Sequence, residues 1–201
     1  MIAVETRNLT LSTLSFGVCF AVWSIFSIIG IEIKQDLGLN ETEFGLLIAT
    51  PILTGSLTRI FLGIWADQYG GRSVFFAVMV LTAIATWMLS MASTYPMFLL
   101  SALGVGLAGG SFAVGITFVS CWYGKDRQGM MLGIFGMGNA GAAVTSFCAP
   151  FLLVAYGWDN VAKIYSVALL VMAVIFWIFT QDDPKTLACK EMDRQKRSLL
   201  T

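Results

Sequence analysis

The 201-residue sequence contains no histidine. Zinc sites built on imidazole and histidine general bases are therefore excluded. Charge is also scarce, at 12% of residues against about 25% in soluble domains. With 57% hydrophobic residues and a mean hydropathy of +0.80, the chain belongs to the membrane class. Twelve basic and twelve acidic residues cancel, and no basic tract suggests nucleic acid as a partner. The four cysteines, Cys19, Cys121, Cys148 and Cys189, stand far apart without a Cys-x-x-Cys pair. They read as small buried hydrophobes rather than a metal or disulfide framework. No apolar run presents a nucleophile–base pair or metal-ligand spacing, so no cofactor and no enzyme are expected.

What is present is a series of long apolar runs, each enough to cross roughly 30 Å of hydrocarbon. Their order predicts an all-α membrane protein of six transmembrane helices. Residues 1–9 form a short polar tail. Span one covers about 10–31, too long for a signal-peptide core and without a small-x-small cleavage site, so it is expected to stay. Residues 32–43 form an acidic loop. Span two covers about 44–66, with Pro51, Gly55 and Gly63 inside it, and residues 67–72 form a very short loop. Span three covers about 73–92. A tight turn at 93–95 precedes Pro96, a residue suited to a first helical turn, and span four covers about 96–121. A basic loop carries Lys125 and Arg127. Span five covers about 128–155, a loop follows at 156–160, and span six covers about 161–180. The bundle thus occupies residues 10–180, and residues 181–201 form a second polar tail.

Six crossings place both termini on one side. That side holds nine of the lysines and arginines: Arg7, Arg72, Lys125, Arg127, Lys185, Lys190, Arg194, Lys196 and Arg197. The other side holds two, Lys34 and Lys163. The excess marks both termini as cytoplasmic and the protein as a multi-pass component of the cell membrane.

Against this background Arg59 stands out as a charge deep within an apolar run. A guanidinium stays protonated at any accessible pH, and at the bilayer centre it costs at least about 2.5 kcal/mol. It needs an anion or a wet cavity beside it, and none of the twelve Asp and Glu lies in a span. One reading makes the anion a cargo. The other lets Arg59 snorkel towards the cytoplasmic interface, although Asp67 lies eight residues away, roughly 12 Å of helix.

Glycine is concentrated in spans four and five. Gly129, Gly133, Gly136 and Ala140 recur on one helical stripe, the small-residue mode of membrane helix packing. Gly138 and Gly141 lie on a second face, where a missing side chain lets backbone or a small ligand approach. Asn139, mid-span, reads equally as an interhelical hydrogen bond and as a donor to an oxyanion held by Arg59. Phe112 reads as a packing residue or as a flat, dry wall for a bound anion.

The segment Gly63-Ile-Trp-Ala-Asp67-Gln-Tyr-Gly70-Gly-Arg72 resembles the loop 2–3 motif of the major facilitator superfamily, G-x-x-x-D-x-x-G-x-R. Within that superfamily, Leu53-Thr-Gly-Ser-Leu-Thr-Arg59, Gly109-Gly-Ser-Phe-Ala113 and the glycine-rich segment from Gln128 to Gly141 are similar to the nitrate/nitrite porter family. Ser111 and Gly124 depart from residues common in that family, Asn and Pro. The resemblance implies that Arg59 grips the substrate anion, that Phe112 packs against it, and that Gly136 and Asn139 line its pocket. It assigns Gly63, Asp67, Gly70 and Arg72 to a cytoplasmic gating latch.

The expectation is therefore the N-terminal half of a transporter that moves nitrate or nitrite through the bilayer by alternating access. Family members have twelve spans in two halves with cargo between them, so a second six-helix half is the expected partner. That half is missing from a truncated chain, encoded separately, or replaced by a second copy. A non-transporting membrane scaffold, or a transporter half for another small anion, is the alternative. The absence of a carboxylate or histidine in the spans favours anion exchange, or a proton site outside these helices.

Overall fold

The computed structural model describes residues 2–182. The expected tail beyond residue 182, with its five basic residues and Cys189, lies outside the described residues. All regular structure among the described residues is helical: α1 (Ile2–Trp23), α2 (Phe26–Leu37), α3 (Glu41–Tyr69), α4 (Gly71–Leu89), α5 (Tyr95–Ser120), α6 (Lys125–Gly136), a 3-10 turn (Met137–Asn139) and α7 (Ala140–Phe179).

Five helical stretches are long and apolar enough to cross a membrane: Val4–Leu37, Glu41–Tyr69, Gly71–Leu89, Tyr95–Ser120 and Lys125–Phe179. The last has 55 residues, about 80 Å if straight. It is instead a hairpin. Gly157 takes φ 77° and ψ 163°, open to a residue without Cβ, and the chain doubles back there. Residues 137–144 and 164–168 line one groove as a result. The stretch supplies two crossings, and the total is the six that hydropathy predicts.

The helices run well past the apolar segments. α1 begins at Ile2, within the polar residues expected as a tail, and breaks for one turn at Ser24–Ile25 before α2 continues to Leu37. The acidic loop shrinks to residues 38–40. Asn40 caps α3 through a bond from the Glu43 backbone N–H at 2.9 Å, and the Glu43 carboxylate answers on the Asn40 N–H at 3.0 Å. The loop expected at 67–72 reduces to Gly70, whose φ of 92° turns the chain directly from α3 into α4. Polar residues are helical here because loops this short leave them no alternative path.

The two ends of the bundle are identified by contacts between distant segments. Asn8 accepts from the Gln181 N–H at one end, and Asp36 accepts from the Trp158 indole at the other. α5 is the central helix, with α3, α4 and α1 packed around it, and α7 closes against α1 and α4. Thr145 of α7 donates to the Ala21 carbonyl of α1, and Ser166 to the Ala83 carbonyl of α4. Interhelical hydrogen bonds of this kind supplement van der Waals packing where no hydrophobic drive separates helix from lipid.

Two expectations from composition are corrected. Of the cysteines, Cys19 is buried, Cys121 is half-buried and Cys148 faces outward, so they are not uniformly core residues. The regular glycine stripe is also not a packing seam within this chain, whereas backbone does approach the second face as expected. A Cβ on Gly129, Gly133 or Gly136 would meet nothing within 4 Å. A Cβ on Gly141 would collide with the Gly17 carbonyl, and one on Gly138 with Phe16. The second glycine face is the packed one, against α1, and the regular stripe stands open.

Candidate functional site

Arg59 lies ten residues before the end of α3, about 15 Å along the axis. It extends across to α5, where its Nη2 donates to the Gly109 carbonyl at 3.0 Å. Its guanidinium carbon sits 5.7 Å from the centre of the Phe112 ring, one helical turn further along α5. That distance lies within the range of a cation–π contact. Its Nε is buried without a hydrogen-bond partner. Among the described residues no carboxylate pairs with it. The arginine thus holds a permanent charge with one donor satisfied by a neutral carbonyl and others uncommitted.

The approach of α3 to α5 that permits this is made by glycine. A Cβ on Gly106 would fall 2.6 Å from Thr54 Cβ and 2.9 Å from the Pro51 carbonyl oxygen. One on Gly55 would fall 3.0 Å from the Gly106 oxygen. The Trp23 indole of α1 lies over Gly55 and Gly109 and donates to the Pro51 carbonyl at 3.0 Å. Three helices are therefore fixed to one another one turn from Arg59.

Phe112 belongs to a larger aromatic wall. Its ring centre is 5.4 Å from Phe16 and 6.0 Å from Phe135, and Phe16 stacks on Phe135 at 4.9 Å. Phe20 and Trp23 continue the wall along α1. Phe135 needs Gly115 opposite it, where a Cβ would lie 2.1 Å from the ring. Such clusters prefer tilted and offset arrangements.

Gly136 follows Phe135 directly and faces open space. Asn139 is exposed, and its amide donates to the Gly136 carbonyl at 2.8 Å. No hydrogen bond links Asn139 to Arg59. The structure thus brings Arg59 and Phe112 into contact and joins Gly136 and Asn139 to them only through Phe135. Sequence reasoning missed Phe16, Trp23 and Phe135. The spacing of Phe16, Phe20 and Trp23 at i, i+4 and i+7 is the signal that marks an aromatic face on α1.

The residues expected as a gating latch divide. Gly63 allows ordinary contact with Ala113 of α5, and Gly70 makes the turn. Arg72 reaches the far end of α7. Its Nη1 lies 3.3 Å from the Asp182 carboxylate, its Nη2 donates to the Trp177 carbonyl, and its guanidinium sits 4.3 Å over the Trp177 ring. Asp67 is exposed and makes no ion pair among the described residues. Of these four residues, Arg72 is the one that makes an ion pair among the described residues.

The chain matches the family model for the Major Facilitator Superfamily over residues 11–201. It is 42% identical over 186 residues to a probable nitrate/nitrite antiporter, NarK1, of Thermus thermophilus, covering 87% of this chain and 42% of that protein. It is 35% identical over 179 residues to a probable nitrate transporter, NarT, of Staphylococcus epidermidis, covering 89% of this chain and 46% of that one. Its fold is similar to that of a solved bacterial homologue of the human lysosomal transporter Spinster, inward-facing and unoccupied. The TM-score is 0.78 and the identity 20%, over 90% of this chain and 44% of that one. The chain spans less than half the length of the curated relatives it matches. A multi-pass helical bundle with glycine-made crossings, matched along almost its full length, decides the family: the chain belongs to the Major Facilitator Superfamily.

Proposed function

We propose that this chain is the N-terminal half of a transporter for nitrate, nitrite or both, working by alternating access with a second six-helix half. The observation that carries the reading is Arg59: a guanidinium within an apolar helix, held by one carbonyl and one aromatic face, without a carboxylate among the described residues. The names of the relatives, a nitrate/nitrite antiporter and a nitrate transporter, fit a small planar anion at such a charge. A guanidinium offers paired parallel N–H donors to a planar oxyanion, which an ammonium does not. Phe112 supports the charge from the side and keeps the site dry, where an ion–dipole bond is stronger than in water. Gly136 and Asn139 border the same open face and are assigned to its far edge. Asp67 is left for the partner half, and the described ends of the bundle that meet at Asn8 and Gln181 are assigned to the cytoplasm.

The test is nitrate uptake into proteoliposomes holding this chain with a second six-helix half. Arg59→Lys keeps the charge and removes the fork. The expected loss of apparent affinity is about ten- to a hundredfold, the worth of one or two hydrogen bonds to a charged group. Unchanged nitrate affinity in a folded Arg59→Lys protein defeats the assignment. Competition by nitrite, chloride and formate separates a nitrate/nitrite carrier from one for other small anions.

A further inference from the structure

One side of α1 carries a groove whose lining includes neither Arg59 nor Phe112. It has a volume of about 500 Å3 and is walled by Leu14, Gly17 and Val18 of α1, Gly138 and Gly141 around the start of α7, and Ala168 of its returning arm. The lining is almost wholly apolar. Of the polar side chains on it, the Thr13 hydroxyl is already engaged, donating to the Leu9 carbonyl at 2.9 Å. The walls belong to helices long and apolar enough to cross a membrane, so the groove lies at the depth of the hydrocarbon.

Two arginines stand on the helix faces that run into it. Arg7, Leu14 and Val18 recur at i, i+7 and i+11 on α1, and Arg127, Ile134 and Gly138 do so from α6 onward. These spacings return to one side of a helix. Arg7 therefore lies about 10 Å below the groove on its own face, at the end of the bundle where Asn8 meets Gln181. α1 and the α6–α7 arm run side by side in the same direction, with Phe16 on Phe135 and Thr145 bonded to Ala21, so Arg7 and Arg127, nine and eight residues back from the first pair, lie at a similar depth. Arg7 is exposed and makes no ion pair among the described residues. Among the described residues Arg127 pairs with the exposed Asp126 at 4.0 Å, a weak contact. Lys125 adds a third cation at the same end, and Glu5 and Asp126 are the opposing acids.

We infer that this groove and its paired arginines hold one anionic phospholipid, with an acyl chain along α1 and α7 and the phosphate between Arg7 and Arg127. Charge at one end and a hydrocarbon slot at the other match the two parts of that molecule in their order across the bilayer. A neutral phospholipid satisfies the slot and not the arginines. Each basic residue near an anionic membrane surface contributes about a fivefold preference, so the pair gives roughly twenty- to thirtyfold. The site does not depend on what the protein carries.

The experiment measures lipid retained by the purified chain after exchange in nanodiscs of equal phosphatidylglycerol and phosphatidylcholine, read by native mass spectrometry. One phosphatidylglycerol per chain, retained at least tenfold over phosphatidylcholine, is expected. The double variant Arg7→Gln with Arg127→Gln loses that preference and keeps the fold, since both side chains are exposed. Ala168→Phe fills the slot from an outward-facing position and lowers retention of both lipids, with the thermal midpoint unchanged. Equal retention of the two lipids by the native chain overturns the proposal. So does a preference that survives loss of both arginines, or retention that Ala168→Phe leaves untouched.

Discussion

The indole N–H of Trp23 donates to the Pro51 carbonyl at 3.0 Å, across the gap between α1 and α3. The same ring lies against Gly55, one turn before Arg59, and against Gly109, whose carbonyl receives the Arg59 guanidinium. One aromatic residue thus links the helix that carries the arginine to the peptide that holds it. Trp23→Phe keeps most of the ring and removes the donor, with an expected loss of about 1 kcal/mol. Trp23→Ala leaves a cavity at a three-helix junction and is expected to cost about 3–5 kcal/mol. Thermal unfolding of the purified chain in detergent measures both. A midpoint unmoved by Trp23→Ala removes Trp23 from the structural account.

The glycines separate into packed and open classes with opposite expectations. Gly106→Ala forces its new methyl within 2.6 Å of Thr54 and 2.9 Å of the Pro51 carbonyl, backbone that has no room to retreat. A destabilisation of about 1–3 kcal/mol follows from overpacking. Gly141→Ala meets the Gly17 carbonyl more closely still and is expected to exceed it. Gly133→Ala meets nothing within 4 Å and gains helix propensity, so stability is unchanged or slightly higher. Equal unfolding midpoints for Gly106→Ala and Gly133→Ala would refute the distinction.

That distinction also shows where the sequence could be read and where it could not. The six crossings follow from hydropathy alone, because bilayer thickness sets the length of an apolar run. The isolated charge of Arg59 is legible for the same reason. Its partner is not, since a backbone carbonyl such as that of Gly109 leaves no mark in residue type. The two glycine stripes of span five are both visible, but periodicity gives the angle between them and not which one meets α1. Short polar segments at 32–43 and 67–72 look like loops by composition, yet Asn40 and Gly70 let helix begin again almost at once. The aromatic wall escaped notice because phenylalanines are common in spans, and only contact across α1, α5 and α6 distinguishes Phe16, Phe112 and Phe135 from residues facing lipid.

Arg72 fastens the start of α4 to the end of α7 through the Trp177 carbonyl, the Trp177 ring and the Asp182 carboxylate. Both charged side chains are largely shielded, with relative exposures of 20% and 15%. Arg72→Gln is expected to lose about 1–3 kcal/mol locally, the range for hydrogen bonds to a charged group. The loss falls on the end of α7 rather than on the bundle as a whole. Hydrogen exchange should therefore rise at residues 176–182 while α5 keeps its protection. Faster exchange spread evenly over all helices, or none at all, contradicts a local clamp.

Gly136 tests whether the open glycine face serves the cargo path or is merely unfilled. A methyl there touches nothing in this chain, and Ala replaces the poorest helix former after proline with the best. Gly136→Ala should leave the unfolding midpoint equal or raised. Yet Gly136 adjoins Phe135, whose ring stacks on Phe112 beneath Arg59, so a methyl narrows the space bordering the arginine. In proteoliposomes containing both halves, nitrate uptake should fall severalfold, and a larger side chain at the same place, Gly136→Val, should abolish it. Because stability and uptake move in opposite directions, a folding defect cannot mimic the result. Full uptake by Gly136→Val would remove this face from the anion's route and leave Arg59 and Phe112 as the remaining candidates.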